Sequence, residues 1–253
     1  MPAEVPRRMA TAAGILAAFA VAGVALVALT HRATGERIAA NEREYLLRSL
    51  RDVLPEVDYD NALHEDWIAV TDPGLLGTAQ PVTVYRARRA GRPVATVLTP
   101  VAPGGYNGPI RLLVGILADG TVSGIRVVAH RETPGLGDKI EVERSDWILR
   151  FAGRGLGSPP VERWGVRKDG GEFDSFTGAT ITPRAVVHAV RDALIYFRAH
   201  REALFATPAR DAPAPPPAKD AADESAPYEM PETTPPPAGG EPATREDNEG
   251  PDR

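Results

Sequence analysis

The sequence contains no cysteine. This excludes disulfides, cysteine-ligated iron–sulfur clusters and thiol catalysis within the chain. Histidine is also scarce, since the five histidines are scattered and none of them pair at the short spacing typical of a protein metal site. We therefore predict no metal ligands here, and any redox chemistry of this chain would need an organic cofactor.

Long runs of basic residues are absent as well, because Lys and Arg cluster only in doublets such as Arg7-Arg8 and Arg88-Arg89. The sequence therefore predicts no nucleic-acid-binding surface. It also lacks the G-x-G-x-x-G pattern of a dinucleotide-binding fold. A chain with neither cluster ligands nor this pattern cannot be a complete oxidoreductase, although it could be one subunit of such a machine.

The net charge of −5 is unevenly distributed along the chain. Residues 207–253 contain eleven acidic and four basic residues, so the preceding 206 residues sum to +2. The same segment holds twelve of the 25 prolines and almost no large apolar side chains. Such a composition cannot bury a core, which predicts a disordered tail with polyproline II character. Docking of a partner by this tail is the alternative to a solvated appendage.

Residues Met9 to Thr30 contain no charged side chain. Twenty-two helical residues would extend about 33 Å, enough to cross a hydrocarbon core of about 30 Å. A cleaved signal peptide is the rival interpretation, but its apolar region usually has only about 7–15 residues before a small-residue cleavage site. We therefore predict a retained transmembrane helix. Arg7 and Arg8 before it, against Arg32 and Arg37 after it, weakly favour residues 1–8 in the cytoplasm and the rest on the periplasmic face of a bacterial inner membrane.

Helix and strand patterns follow the predicted span. Residues 31–54 have apolar side chains at helical spacing, which predicts a stalk helix that ends at Pro55. Two successive hairpins are then predicted, Val82–Tyr85 with Val94–Leu98 and Ile110–Leu117 with Val122–Ala129. Two hairpins in succession indicate an antiparallel sheet.

Helices are predicted nearer the end of the chain. One begins near Asp138 or Arg144 and runs through Trp147. The other begins at Thr182-Pro183, a capping residue followed by a proline at the first helical position, and continues to about Phe205. The sequence thus predicts an α+β domain at residues 55–206, in which helices pack on a twisted antiparallel sheet.

Two segments of this domain have the composition of a ligand site. His130–Lys139 follows a strand and contains two glycines that allow a ligand to approach the backbone, although turn geometry alone would also explain them. Asp174–Pro183 places four hydroxyl side chains just before a helix, where backbone N–H groups favour phosphate. Simple capping of the helix is the alternative explanation.

A family resemblance decides between these explanations. Asp174-Ser175-Phe176-Thr177-Gly178-Ala179-Thr180 matches the D-x-x-[ST]-G-A-T pattern that bacterial flavin transferases recognise. The segments His130–Gly137, Trp164–Asp174 and Thr180–Val187 add to the likeness. Over residues 9–205 the chain resembles the G subunit of the Rnf electron transport complex, a relative of the C subunit of sodium-translocating NADH:quinone reductase.

The resemblance implies that Thr180 is esterified to the phosphate of FMN by a separate flavin transferase. It further implies a redox subunit, without a catalytic residue of its own, of a membrane-bound Rnf-type ion-translocating ferredoxin:NAD oxidoreductase complex. The other membrane and peripheral subunits of that complex would be its partners. Membership of the related NADH:quinone reductase is the close alternative, and a membrane-anchored binding or assembly module without flavin is the more distant one.

The resemblance also implies supporting roles around the flavin. Asp174 would belong to the transferase recognition motif, and Lys168 would offer positive charge near the flavin or its phosphate. Trp147 and Trp164 are candidates for stacking on the isoalloxazine ring, with burial in the core as the commoner alternative. Three residues would shape the turn around the phosphate and five would line the flavin pocket: Thr177, Gly178 and Ala179, and Glu132, Thr133, Gly135, Leu136 and Gly137.

Overall fold

The computed structural model describes residues 4–210. The N-terminal helix α1 comprises Glu4–Val53 and is continuous through both the predicted span and the predicted stalk. Within it, Ala13–His31 is long and apolar enough to cross a membrane, by length and composition, and none of it is buried. The helix ends two residues before Pro55, as expected from the exclusion of the helical conformation before proline. The predicted disordered tail lies, from residue 211 onward, outside the described residues.

A six-stranded antiparallel sheet follows α1. It consists of β1 (Trp67–Val70), β2 (Val82–Arg89), β3 (Arg92–Leu98), β4 (Val101–Ala102), β5 (Ile110–Leu117) and β6 (Val122–Ala129). The order is β1-β2-β3-β5, with β4 beside the start of β5 and β6 along the other edge of β5. A short helix α2 (Pro73–Leu76) lies between β1 and β2. The predicted α+β class and the antiparallel sheet are confirmed.

Both faces of the sheet are buried, and strand alternation divides the side chains between them. Trp67, Tyr85, Val97 and Leu113 face one side and pack with Leu46, Leu50 and Val53 of α1. Their neighbours Ile68, Val84, Leu98 and Leu112 face the other side and pack with the last helix, α3 (Ile181–Ala206). The domain therefore has three layers, with α1 and α3 on opposite faces of one sheet.

The C-terminal end of α1 lies very close to the sheet at two glycines. A Cβ atom on Gly115 of β5 would collide with the carbonyl oxygen of Val53, and one on Gly124 of β6 would lie 3.0 Å from the same oxygen. These two residues are directly paired across the strands. The absence of two side chains thus creates the notch that seats the end of the stalk on the domain.

The C-terminal end of α3 is held by two arginines of β2. Arg86 is buried at 1% exposure, is paired with Asp66, and donates from its guanidinium to the carbonyl oxygens of Leu204 (3.0 Å) and Thr207. Arg88 donates to the other oxygen of Asp66 (2.8 Å) and to the carbonyl of Phe205 (2.9 Å). Guanidinium groups suit the last, otherwise unpaired, carbonyls of a helix. They fix α3 against the sheet at this end.

Between β6 and α3 the chain forms turns and short 3₁₀ helices: Gly137–Ile140, Asp146–Phe151, Val161–Arg163 and Arg167–Asp169. The α-helix predicted from Asp138 or Arg144 through Trp147 was wrong. Ser145 caps the 3₁₀ helix that contains Trp147, because its side chain accepts from the Trp147 N–H. Trp147, Ile148 and Phe151 are nevertheless buried. The apolar pattern therefore indicated which side chains are buried but not which type of helix they form.

The glycine notch yields a stability prediction. Gly115→Ala places a methyl group against the Val53 carbonyl, and overpacking of this kind typically costs about 1–3 kcal/mol. We expect a lower midpoint of urea denaturation for the full chain in detergent, followed by tryptophan fluorescence. Gly157→Ala is the matched control, because a Cβ there meets nothing within 4 Å and the backbone φ is not positive. Equal midpoints for the two variants would contradict this account of the stalk contact.

Candidate cofactor-attachment site

The predicted attachment motif, Asp174–Thr180, contains a tight turn at residues 176–179, which we call the attachment turn. The N–H of Ala179 donates to the carbonyl of Phe176 at 3.0 Å, which closes a four-residue turn over Thr177 and Gly178. Gly178 has φ +81°, a left-handed conformation that glycine adopts without strain. Thr177 and Gly178 are exposed at the tip. The turn therefore ends just before Thr180, and the tip of the turn is open to solvent.

Thr180 is the N-cap of α3, and its hydroxyl makes no capping hydrogen bond. The helix therefore begins at Ile181, and its N-cap lies two residues before the predicted cap at Thr182. Pro183 is the third helical residue, where it is tolerated because the first four N–H groups of a helix have no intrahelical partner. The half-buried Thr180 hydroxyl thus lies at the positive end of a 26-residue helix without a committed hydrogen-bond partner among the described residues.

Thr182 differs from Thr180 in both burial and bonding. Its side chain is 1% exposed, and its hydroxyl donates to Oε2 of Glu132 in a short hydrogen bond. An incoming reagent cannot reach this oxygen without disrupting the core. Of the two hydroxyls at the start of α3, only that of Thr180 is available for covalent modification.

Glu132 connects three segments through one buried carboxylate. The side chain is 5% exposed, its Oε2 accepts from Thr182, and its Oε1 accepts from the backbone N–H of Asn107 at 3.2 Å. Two glycines make room for it: a Cβ on Gly105 would lie 2.9 Å from Oε1, and one on Gly137 would lie 2.7 Å from Oε2. The loop before β5, the loop after β6 and the first turn of α3 therefore meet at Glu132.

His130 binds the backbone of Glu132 and the side chain of Glu141. Its Nδ1 accepts from the backbone N–H of Glu132 at 3.0 Å, and its Nε2 lies 2.9 Å from Oε1 of Glu141. Since an accepting Nδ1 carries no proton, the hydrogen-bond network assigns the proton to Nε2, which donates to Glu141. The ring thereby fixes the path of the backbone as it leaves β6.

The rest of the loop folds back toward the attachment turn. The carbonyl of Thr133 accepts from the N–H groups of Leu136 and Gly137, both at 3.1 Å, and its hydroxyl accepts from Asn107 Nδ2 at 3.1 Å. Gly135 has φ +79°, so glycine is required for this reversal. Leu136 Cδ2 lies 4.0 Å from the Cβ position of Gly178. The structure thus brings together the two segments that the sequence singled out.

Asp174 occupies the other flank of the turn. Its carboxylate is paired with Arg150 and, at 3.0 Å, with Nε of Arg167, while its carbonyl accepts from Trp147 Nε1 at 2.8 Å. The Trp147 ring also meets Phe176 edge-on, with centroids 5.2 Å apart. The start of the attachment motif is therefore fixed by ion pairs at the surface and by aromatic packing beneath.

Lys168 is exposed and takes no part in a hydrogen bond or ion pair with the described residues. Its neighbour Asp169 accepts two hydrogen bonds from Arg184, at 2.6 and 2.9 Å, one turn into α3. These bonds hold the pKa of Asp169 below its ordinary value and raise the pKa of Arg184. This flank of the site is thus charged, and most of its charges are paired.

The two candidate stacking tryptophans belong to the core. Trp147 and Trp164 are both buried, and each packs against Phe151, at centroid distances of 5.2 and 6.3 Å. Phe173 stacks on Phe151 at 4.5 Å and completes the cluster. Burial, the commoner alternative, is therefore the outcome for both tryptophans.

The sequence reasoning overlooked the loop before β5. Gly105 packs on Glu132, and Asn107 bonds both Glu132 and Thr133. The run Gly104-Gly105-Tyr106-Asn107-Gly108 contains three glycines in five residues, a composition that could have marked it. Its proximity to the attachment turn, however, follows from the sheet order rather than from any local pattern.

These residues fit a cofactor bound through a phosphoester. The Thr180 hydroxyl is uncommitted, the helix N-terminus favours negative charge, and the exposed turn can be reached by a modifying enzyme. No cluster of three or more acidic or histidine side chains capable of holding a metal ion occurs in the part of the chain that the structure describes. The arrangement suits an organic phosphate-bearing group.

Comparison with known proteins identifies the family of the domain that contains these residues. The FMN-binding domain family matches residues 105–195, which include both the loop before β5 and the attachment turn. The RnfG N-terminal region matches residues 1–53, which end with α1. A helix long enough to cross a membrane, followed by an FMN-binding domain, thus defines the class of protein.

Full-length relatives narrow the class further. The G subunit of the ion-translocating oxidoreductase complex of Pseudoalteromonas atlantica is 49% identical over 191 residues, covering 76% of this chain and 89% of that protein. The G subunits of Vibrio cholerae and Pseudomonas aeruginosa are 50% and 49% identical over 77% and 81% of this chain, and over 92% and 96% of their own lengths. The chain belongs to the family of G subunits of ion-translocating oxidoreductase complexes, and the resemblance seen in the motifs is confirmed.

The Glu132–Thr182 hydrogen bond can be tested directly. Thr182→Val keeps the shape of the side chain but leaves the buried carboxylate one donor short, which typically costs about 1–3 kcal/mol of unfolding free energy. Urea denaturation of the full chain in detergent measures the loss. Thr182→Ser should recover most of the stability because it keeps the hydroxyl. A valine variant as stable as the wild type would show that the carboxylate does not depend on this donor.

Proposed function

We propose that this chain is an electron-transfer subunit that carries FMN covalently on Thr180 within a membrane-bound Rnf-type ferredoxin:NAD oxidoreductase complex. FMN supplies the ability to accept and pass on electrons one at a time, and the chain has no cysteine-ligated cluster that could do so. The chain itself contributes the attachment hydroxyl, the fold that presents it and the anchor. Ferredoxin and NAD chemistry and ion translocation belong to partner subunits, since the chain lacks cluster ligands and a dinucleotide fingerprint.

The proposal rests mainly on the absence of a capping hydrogen bond from the Thr180 hydroxyl. This hydroxyl lies at the N-cap of a long helix but makes no cap bond, while Thr182, two residues on, is buried and bonded. A side-chain oxygen at an N-cap ordinarily satisfies one of the free N–H groups of the first turn. At Thr180 that position remains available to phosphate oxygens, which accept from N–H groups and carry the negative charge that a helix N-terminus stabilises.

Attachment would require a flavin transferase, because a threonine hydroxyl is a weak nucleophile without an activating base. In the proposed step the Thr180 oxygen forms a bond to the FMN phosphorus of FAD, the pyrophosphate bond breaks, and AMP leaves. The hydroxyl proton passes to a base of the transferase. Asp174, Thr177, Gly178 and Ala179 present the motif on a turn whose tip is open to the transferase.

The remaining predicted residues support the flavin at different distances. Leu136 touches the attachment turn and is the residue of the loop after β6 best placed to contact the flavin. Glu132 and Gly137 act indirectly, because both are buried and hold the loop and the helix together. Thr133 and Gly135 shape the loop, and Lys168 supplies an exposed positive charge on the opposite flank.

The membrane arrangement forms part of the proposal. Residues 9–30 cross the bacterial inner membrane, residues 31–54 form the stalk, and residues 55–206 carry the flavin on the periplasmic side, with residues 1–8 in the cytoplasm. The apolar stretch of α1 and the flanking arginines support this orientation. A tether has a clear use outside the cytoplasm, where a dissociated flavin would be lost by diffusion.

Two other functions are alternatives to the proposed one. A C-type subunit of sodium-translocating NADH:quinone reductase would use the same attachment chemistry, but the RnfG N-terminal match at residues 1–53 favours the Rnf type. An anchored binding or assembly module without flavin would need no free hydroxyl at Thr180. The uncommitted N-cap oxygen favours the flavoprotein.

Intact mass tests the attachment. The full chain, co-expressed with a flavin transferase, should gain the mass of FMN less one water, and its fluorescence should survive denaturing electrophoresis. Thr180→Ala should abolish the gain. Ser175→Ala is the matched control, since it removes a neighbouring hydroxyl at a position that the D-x-x-[ST]-G-A-T pattern leaves open, and this variant should still be modified. An unmodified wild-type chain beside an active transferase would refute the proposal.

Single-cysteine labelling tests the orientation, and the cysteine-free sequence provides a clean background. Glu143 is exposed on the domain, so Glu143→Cys should react with a membrane-impermeant maleimide in intact spheroplasts. Ala3→Cys should react only after lysis. The reverse pattern would place the domain in the cytoplasm and contradict the topology while leaving the flavin attachment untouched.

A further inference from the structure

Four large apolar side chains are exposed on the domain: Tyr106 at 66%, Leu136 at 45%, Leu149 at 43% and Ile181 at 44%. Tyr106, Leu136 and Ile181 lie in the three segments that meet at Glu132. Leu149 lies elsewhere, in the 3₁₀ helix whose next residue, Arg150, pairs with Asp174. Exposed apolar groups that lie together on a soluble domain usually mark a binding surface. We therefore expect a ligand or partner to cover Tyr106, Leu136 and Ile181.

Ile181 follows Thr180 directly and begins α3. Ala185 lies one turn further along the same helix face. The Cβ of Ala185 lies 3.9 Å from the Cβ position of Gly104, so the loop before β5 packs beside this face. Tyr106 is two residues from Gly104 and therefore belongs to a loop that contacts α3 one turn beyond Ile181.

The Glu132 carboxylate fixes this loop. It accepts from the N–H of Asn107, the residue next to Tyr106, and from the hydroxyl of Thr182, the residue next to Ile181. Tyr106 and Ile181 are thus each one residue from a donor to the same carboxylate. Leu136 approaches from the third segment and lies 4.0 Å from the Cβ position of Gly178. Leu136 and Ile181 consequently adjoin the attachment turn, and Tyr106 lies in the loop that the same carboxylate holds.

The two sides of the turn differ in polarity. On the Asp174 side the surface is occupied by the ion pairs of Asp174 with Arg150 and Arg167, and by that of Asp169 with Arg184. On the side of the loop before β5 the exposed groups include the phenol and two aliphatic side chains, beside the polar side chains of Asn107 and Arg131. An aromatic ring attached near Thr180 loses contact with water most favourably on the apolar side.

We propose that Tyr106, with Leu136 and Ile181, forms the surface on which the isoalloxazine ring of the Thr180-linked flavin packs, and that the Tyr106 phenol contacts the ring. This inference rests on the proposed function, because it needs the flavin on Thr180. Tyr106 is a positioning residue with a specific consequence. A phenol in contact with an excited flavin donates an electron to it and recovers that electron, which quenches flavin fluorescence.

The experiment uses the full chain in detergent, flavinylated by a co-expressed transferase, with occupancy set by intact mass. Tyr106→Ala should lengthen the fluorescence lifetime of the bound flavin several-fold and raise collisional quenching by iodide. Tyr106→Phe should lengthen the lifetime in the same way but leave iodide access unchanged, because it keeps the packing and removes the electron donor. Leu136→Ala should raise iodide access, whereas Leu149→Ala, a leucine of equal exposure, should not.

Wild-type lifetimes and iodide access in both Tyr106 variants, at full occupancy of Thr180, would overturn the inference and leave the proposed function intact. Absence of FMN from the wild-type chain would instead refute the proposed function. If Tyr106→Ala impaired attachment, the lifetime of Tyr106→Phe would decide alone.

Discussion

Burial of both faces of one antiparallel sheet is the constraint on which the rest of the domain depends. Strand alternation sends Tyr85 and Leu113 toward the stalk helix and Val84 and Leu112 toward α3, so each helix is held by a separate apolar layer. The two apolar layers lie on opposite faces of the sheet. The close approach of the Val53 carbonyl to Gly115 therefore fixes the end of α1 directly to the sheet. The long N-terminal helix α1 thereby packs on the face opposite the one that carries α3.

The last helix is held at both ends by side chains of opposite charge. Buried Arg86 and its neighbour Arg88 bind the carbonyls of the C-terminal turn, and buried Glu132 binds the hydroxyl of Thr182 in the first turn. The carboxylate near the N-terminus and the guanidinium groups near the C-terminus both match the polarity of the helix dipole. Because α3 is fixed at each end, the free oxygen of Thr180 is held at a defined place although the turn before it is exposed.

Local patterns predicted the regular elements well. The hairpin of β5 and β6 was placed to the residue, because the Asp119-Gly120 turn separates two strands of eight residues and Gly120 takes the positive φ, +91°, that such a turn requires. The segment containing Trp147 was assigned the wrong helix type, since buried residues spaced one and four apart fit an α-helix and a 3₁₀ helix alike. The start of α3 was misplaced because Pro183 is compatible with any position in a first turn. Glu132 was singled out by its motif, but its partners Asn107 and Thr182 lie 25 and 50 residues away along the chain, and such contacts follow from the sheet order.

The exposure of the attachment turn gives the proposed covalent bond a physical purpose. A ring that packs on a few side chains at the surface keeps one side toward solvent, and the area it buries gains little against the translational and rotational freedom lost on binding. A covalent link removes that loss from the equilibrium, since the ring then competes only with its own unpacked state at a high effective concentration. The proposed surface contacts on Tyr106, Leu136 and Ile181 would therefore orient a flavin that they could not retain. The same exposure would serve the proposed electron transfer, because a partner subunit could approach a ring held at the surface, whereas a deep pocket would conceal it.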